Sequence, residues 1–337
     1  MRGADGEQRP RVRVGLVGAG RWGSRYLDTF PAVDELEFVG VADLDAGVRE
    51  RLAERLGGAR SCASLEALHA LGAEAVVVAT PSATHAELTL RALDLGLHVL
   101  VEKPMTTTLR DAHRIESRIR ATERRLLVGH LALHQPAIEA LIAQSAALLG
   151  PLRSTAHVRT SGGASHSEES ALTALAPHDL AVAMRLHGGP ILAVRVTSAS
   201  DGLDRVSAEA KFAGGTEASF QWSRRASEPA RTLVARGTLG AVTLDERTQT
   251  AVVRPAPSAP TSLARATGLN VPDPFEPALT RQCRHFARVV RGEKAAIAGV
   301  LEGLACVQAV DALARSVASG RTWTTIDSPP SKDAFQP

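Results

Sequence analysis

Residues 12–23 read Val12-Arg13-Val14-Gly15-Leu16-Val17-Gly18-Ala19-Gly20-Arg21-Trp22-Gly23. The first six are mostly β-branched or aliphatic, as a buried strand requires, and the run stops at Gly18. Gly18 to Gly23 is a GxGxxG set between that strand and a helix predicted over 22–30. Glycines at this spacing allow a tight turn, close approach of backbone to a pyrophosphate, and close packing of the following helix. The helix N-terminus adds an anion site. A glycine-rich turn alone often just joins two elements, so the next strand decides. That strand, predicted over 38–42, ends at Asp43, 23 residues beyond Gly20. A carboxylate there accepts hydrogen bonds from ribose hydroxyls and repels a 2′-phosphate, which favours NAD(H) over NADP(H). The alternative for Asp43 is a helix cap or turn residue.

Working outward, aliphatic runs at 75–79, 98–101 and 126–129 alternate with helical segments at 46–56, 64–71, 85–95 and 109–122. Strands alternating with helices predict βαβ units and a doubly wound parallel sheet. Beyond about residue 135 the pattern changes. A helix over 136–149 stops at Gly150-Pro151. Strand-like stretches then cluster at 154–159, 192–198, 206–212, 217–222, 232–236 and 242–244, interrupted by a helix near 179–186. They predict a mostly antiparallel sheet. Residues 255–277 are proline-rich and read as a loop, and helices over 277–291 and 301–319 follow. The expected organisation is a disordered tail at 1–11, a Rossmann domain at 12–134, a second domain at 135–327 and a tail at 328–337.

At 337 residues the chain exceeds what one core usually supports. Its net charge is +3, and only four of its 39 basic residues are lysines. With no dense basic block and 3% aromatic residues, a nucleic-acid partner is not expected. No apolar run reaches the roughly 20 residues of a membrane span, and the polar first ten residues do not read as a secretory signal. Cys62, Cys283 and Cys306 are odd in number and widely spaced, which predicts free thiols in a reducing cytoplasm. No ligand-like cluster predicts a metal.

Further chemistry-bearing residues follow strand ends, where parallel sheets place ligands. Thr80-Pro81, with His85 behind it, is either a ligand-facing turn or a plain turn with a helix-start histidine. In Glu102-Lys103-Pro104 the lysine stands out in a chain that otherwise uses arginine. An ammonium, unlike a guanidinium, can shift its pKa usefully. His178, in Ala176-Pro177-His178-Asp179, is either a general acid or base or a helix-start residue packed on Asp179.

In order, GAGRWG, ADLD, ATPSATH, EKP, VGHLALHQPA, APHDL and FEPALTRQCRHF resemble the Gfo/Idh/MocA oxidoreductases over about 12–323. The resemblance implies dinucleotide binding by Gly18, Gly20, Arg21, Trp22, Gly23 and Asp43, flanked by Thr80, Pro81 and His85. Glu102 would lie at the nicotinamide end and Lys103 between nicotinamide and substrate, with the Lys-Pro bond often cis. His178 matches the family histidine. The aspartate that many polyol dehydrogenases place four residues earlier is Ala174 here, and Thr173 replaces a tryptophan of the APHD subgroup. His130, His134, Glu168, Glu169 and Asp179 are the expected substrate contacts, with Arg159 further back. The resemblance further implies that the second domain is an α/β domain built on a large, open, mainly antiparallel sheet, and that this sheet joins a homodimer or homotetramer.

Together these readings predict an NAD(H)-dependent oxidoreductase acting on a sugar, amino sugar or nucleotide sugar. Two alternatives stand beside it. One is an imine or ketone reductase of a biosynthetic pathway, and the other an inert NAD(H)-binding sensor or scaffold.

Overall fold

The structure, a computed structural model, describes residues 10–56, 60–162, 169–260, 263, 267–331 and 335. Residues 1–9 of the expected N-terminal tail, half of the C-terminal one and Glu168 lie outside the described residues.

Two units form. The first runs to Gly129 and takes back Leu279–Val300; the second holds His130–Ala278 and Leu301 onward. In the first, β1 (Val12–Val17), α1 (Gly23–Thr29), β2 (Leu36–Ala42), α2 (Ala46–Leu56), β3 (Ser61–Cys62) and α3 (Leu65–Ala70) come in turn. They are followed by β4 (Ala75–Val78), α4 (His85–Asp94), β5 (His98–Glu102), α5 (Leu109–Arg120) and β6 (Leu126–Gly129). The strands make one six-stranded sheet in the order β3-β2-β1-β4-β5-β6, and every pairing is parallel. Val76, Val78, Val99, Leu100 and Val101 are all fully buried, which is why these strands read as unbroken aliphatic runs. The order reverses between β1 and β4, so the crevice for a ligand opens beyond their carboxyl ends.

The second unit begins with α6 (Pro136–Leu149) and β7 (Leu152–Gly162), then α7 (Ala171–Ala174) and α8 (Ala176–His187). The strands β8 (Ile191–Ala199), β9 (Arg205–Phe212), β10 (Glu217–Ala226), β11 (Arg231–Gly237), β12 (Gly240–Asp245) and β13 (Thr250–Pro255) follow. After them come α9 (Ala278–Val290), α10 (Val300–Ala318) and β14 (Thr324–Thr325). Among the described residues the sheet order is β13-β12-β11-β7-β10-β9-β8-β14. Only β7 and β10 pair in parallel; the other neighbours are antiparallel. One face carries Val194, Val196, Ala208, Ala210, Phe220 and Trp222 into a core shared with α8 and α10. The other face is open, so residues alternate buried and exposed along β10.

Three features differ from the sequence reading. Helix α9 belongs to the first unit, since a helical period does not tell which sheet a helix covers. Its Arg284 and Arg288 face Glu35 at 3.4 and 3.6 Å, and Val128 donates its N–H to the Ala298 carbonyl at 2.7 Å. Strand β13 was not among the expected strand-like stretches, and only its last residue, Pro255, falls in the expected loop. Phe335, in the expected tail, is 2% exposed and sits in the second core. The three thiols are free, as expected. Among the described residues no helix is long and apolar enough to cross a membrane.

The bend after β11 leaves no room for a side chain at Gly237, where a Cβ would stand 2.2 Å from the Leu149 carbonyl oxygen. Gly237→Ala is therefore expected to destabilise the protein by about 1–3 kcal/mol, the usual cost of overpacking against backbone. The shift of the urea midpoint measures it, and an unchanged midpoint contradicts the close approach.

Candidate active site

In the first unit the loop from β1 to α1 is built by glycines with separate tasks. Gly18 has φ +87°, and a Cβ there would meet Thr80 Cγ2 at 2.7 Å. Gly23 is tighter still, its Cβ falling 2.0 Å from the Gly18 carbonyl oxygen. Gly20 is exposed, and a Cβ there would have no neighbour within 4 Å. The fold demands the outer two glycines but not the middle one, whose open backbone face is the space a pyrophosphate needs. Arg21 is exposed and Trp22 half-buried, with the Arg25 guanidinium 4.9 Å over the Trp22 ring.

Asp43, half-buried, accepts the Ala19 N–H on Oδ2 at 2.8 Å and the Asp45 N–H on Oδ1 at 2.9 Å. It thus serves as a turn residue and also fixes a carboxylate beside the glycine loop. Each oxygen keeps a lone pair for a further donor. The cap of α2 is Asp45, which accepts the Val48 N–H at 2.9 Å.

At the end of β4, Thr80 is half-buried and Pro81 exposed, and the Thr80 and Thr84 hydroxyls lie 2.7 Å apart. His85 is 1% exposed. Its Nδ1 faces the Pro104 carbonyl at 2.7 Å and its Nε2 the Thr80 carbonyl at 2.9 Å. It ties the two turns together from within rather than facing the crevice. Burial first, then the Lys103 charge, pushes its pKa down, against the pull of both carbonyls. The Lys103-Pro104 bond is cis. Lys103 is half-buried, while Glu102 is 6% exposed and its Oε1 accepts the Tyr26 hydroxyl at 2.5 Å.

In the second unit, α7 starts at Ser170, whose hydroxyl accepts the Thr173 N–H. Pro177 then opens α8, and the His178 N–H bonds the Leu175 carbonyl at 3.2 Å. His178 is half-buried and Glu169 exposed. Asp179 points the other way, into the core, and is 1% exposed. Its Oδ1 accepts Arg159 Nε and Nη2 at 2.9 and 2.7 Å, and its Oδ2 accepts Trp222 Nε1 at 2.8 Å. Arg159 Nη2 also reaches Glu246 Oε2 at 2.7 Å. Burial opposes the Arg159 charge, but Asp179 and Glu246 outweigh it and hold the guanidinium above its usual range. Burial raises the Glu246 carboxyl, and the Asp179 charge raises it further against Arg159. Asp179 and Arg159, expected at the substrate, instead brace the helix that carries His178. His130 and His134 are also buried, with His134 Nδ1 3.6 Å from Glu139 Oε1.

Tyr26, Gln282, Trp222 and Glu246 are absent from the sequence reading. Tyr26 carried a signal, as the only tyrosine in the chain. The others had none, because buried partners brought together by topology share no local spacing.

Residues 12–130 match the Gfo/Idh/MocA oxidoreductase family, which has an NAD-binding Rossmann fold. The chain is 30% identical over 225 residues to UDP-N-acetylglucosamine 3-dehydrogenase of Acidithiobacillus ferrooxidans, covering 65% of this chain and 69% of that protein. It is 35% identical over 128 residues to inositol 2-dehydrogenase 4 of Saccharopolyspora erythraea, which covers 37% of this chain and 38% of that one. A solved structure of the A. ferrooxidans enzyme shares the fold with a TM-score of 0.82 at 23% identity, covering 93% and 100% of the two chains.

Burial pushes the His157 imidazole, 2% exposed beside this network, down to about 4, and His187 to about 3. Unfolded, both titrate near about 6.5. Between those values the unfolded chain binds protons that the native one refuses, so stability is lost as pH falls from about 6.5 toward 4. His157→Gln is expected to remove one proton's share, up to about 1.4 kcal/mol per pH unit. Urea titrations at several pH values read the slope, and an unchanged slope counts against a neutral buried His157.

Proposed function

The chain belongs to the Gfo/Idh/MocA family of oxidoreductases with an NAD-binding Rossmann fold, and from that premise we propose an NAD(H)-dependent dehydrogenase or reductase of sugars. The substrate class is a sugar, amino sugar or nucleotide-linked sugar, supported by the names of the relatives it resembles. The observation that carries the cofactor is the open backbone face at Gly20 beside the fixed Asp43 carboxylate. Gly18, Gly20, Arg21, Trp22 and Gly23 would hold the pyrophosphate side, and Asp43 would accept the ribose hydroxyls and repel a 2′-phosphate. Arg49 spends Nη1 on the Asp43 and Leu44 carbonyls, at 2.9 and 2.8 Å, which leaves the carboxylate's field dominant there.

The nicotinamide, when bound, supplies the hydride acceptor or donor. In oxidation His178 accepts the hydroxyl proton, as positioned histidines do. The Lys103 ammonium donates a hydrogen bond to the substrate oxygen and favours its alkoxide form. In reduction the same two groups polarise and then protonate the carbonyl. Glu102 and His85 act through the backbone of the Lys103-Pro104 turn. Glu169, exposed at the start of α7, remains the substrate contact of the second unit best placed for a polar ligand. The open sheet face, where Arg195 and Lys211 stack on Trp323 at 5.0 and 4.3 Å, supports a homodimer or homotetramer, and the free thiols of Cys62, Cys283 and Cys306 support the cytoplasm.

Parallel fluorescence titrations with NADH and NADPH test the cofactor. NADH is expected to bind at least about tenfold tighter, and Asp43→Ala to erase the difference. A preference for NADPH overturns the Asp43 assignment and favours the biosynthetic ketone or imine reductase. Binding of neither removes the enzyme reading. With a substrate found among keto-sugars, amino sugars and imines, Lys103→Ala and His178→Ala should each lower turnover about 10²-fold or more while NADH still binds. Near-normal turnover in both removes the mechanism.

A further inference from the structure

The Glu102-Lys103-Pro104 turn is reached from inside the first unit by side chains that lie outside the dinucleotide fingerprint. Gln282 of α9 donates its amide N–H to the Tyr26 hydroxyl at 2.8 Å. Tyr26 of α1 donates its O–H to Glu102 Oε1 at 2.5 Å. The other carboxylate oxygen accepts the backbone N–H of Lys103 at 3.2 Å. Gln282 and Tyr26 are fully buried, so water does not compete for these bonds. On the remaining side β6 confines the carboxylate, for a Cβ at Gly129 would come within 2.9 Å of Glu102 Oε1.

We propose that Tyr26 and Gln282 are positioning residues for Lys103, their hydrogen-bond chain fixing the Glu102 carboxylate as counter-charge to the Lys103 ammonium. The proposal rests on the reading of Lys103 given above and names what holds that lysine in place. Burial pushes the Glu102 carboxyl up, while Tyr26, Trp22 and Lys103 pull it back. Burial, then the Glu102 charge, raises the Tyr26 phenol well above its ordinary value, so it stays a donor. The Cys283 thiol on α9 is raised by burial and by Glu102, and stays neutral.

One further observation completes the chain. Among the described residues the Gln282 Oε1 atom is buried without a hydrogen-bond partner. It is the acceptor the chain needs when Glu102 takes up a proton. Glu102 then donates to the Tyr26 oxygen, the Gln282 amide turns over, and Tyr26 donates to Gln282 Oε1. The Tyr26 hydroxyl therefore changes its acceptor with the protonation of Glu102.

Because Tyr26 is the only tyrosine, protein labelled with ¹³C at tyrosine Cζ gives a single resonance. It is expected to titrate with Glu102 at a pH above the ordinary carboxylate range, and to lose that titration in Glu102→Gln. Lys103 is one of four lysines, so competitive acetylation with acetic anhydride, read by peptide mass spectrometry, isolates its reactivity. In Tyr26→Phe it should react about threefold faster or more at about pH 8, relative to Lys211 and Lys294, having lost a carboxylate held by a charge-assisted bond. A wild-type tyrosine resonance that does not move with pH overturns the proposal. So does a Lys103 rate unchanged by Tyr26→Phe. Neither readout needs turnover, so the chain can fail while the catalytic assignment of Lys103 stands, and the reverse.

Discussion

The Gly18 carbonyl oxygen and the α-carbon of Gly23 are so close that no side chain fits between them, a Cβ at 23 falling 2.0 Å from that oxygen. This contact seats α1 directly on the end of β1 and sets the height at which the helix starts. Tyr26 lies one turn further along α1, so its reach to Glu102, 76 residues away in sequence, depends on the same contact. Glycine is required twice over, at Gly18 for a positive φ and at Gly23 for the close approach. The Ala19 N–H, turned toward Asp43 by this geometry, then couples β1 to the end of β2. A short steric rule thus fixes the crevice, the carboxylate beside it and the buried support of the neighbouring turn.

The second unit solves a different problem. It buries Arg159, Asp179 and Glu246 at 3%, 1% and 5% exposure, a costly choice against apolar packing. Half-satisfied, such a cluster would be worse than an apolar core. Here the Asp179 oxygens take the guanidinium on one side and the Trp222 N–H on the other, joining β7, β10 and the first turn of α8. Arg231, exposed at the start of β11, adds positive charge to balance the two carboxylates. The cluster sets the rotation of α8, so that Asp179 faces the core while its neighbour His178 stays half-exposed.

Legibility in the sequence followed how local the determining physics was. Aliphatic runs and glycine spacing are local, so the parallel sheet and the β1–α1 loop were readable from residues 12–129. The helix 136–149 was readable to its ends because Pro136 and the Gly150-Pro151 stop are local signals. The docking of α9 was not readable, since a helical period does not say which sheet it covers; the pairing of Arg284 and Arg288 with Glu35 and the Gln282 bond to Tyr26 show which one it meets. Asp179 was expected among the substrate contacts because the sequence reports its neighbour, His178, and not the core behind it. For His85, adjacency to a strand end could not tell a residue facing the crevice from one tying two turns behind it.

Gly20 separates what the fold needs from what a ligand needs. If the three glycines served folding alone, each should show a steric reason within the protein. Gly18 and Gly23 do, and Gly20 shows none, since a Cβ there would meet open space and φ is not positive. Alanine at that position would raise helix-start propensity and restrict the unfolded chain, both favourable to folding. Retaining glycine is therefore a cost in stability with no return inside the protein. The return has to come from outside it, from a group that approaches the backbone closely enough for a methyl to block it. The helix N-terminus behind that backbone favours an anion, and the Asp43 carboxylate beside it favours a hydroxyl donor. A phosphate joined to a sugar would satisfy both at once, which is the physical support for the dinucleotide site proposed at this loop.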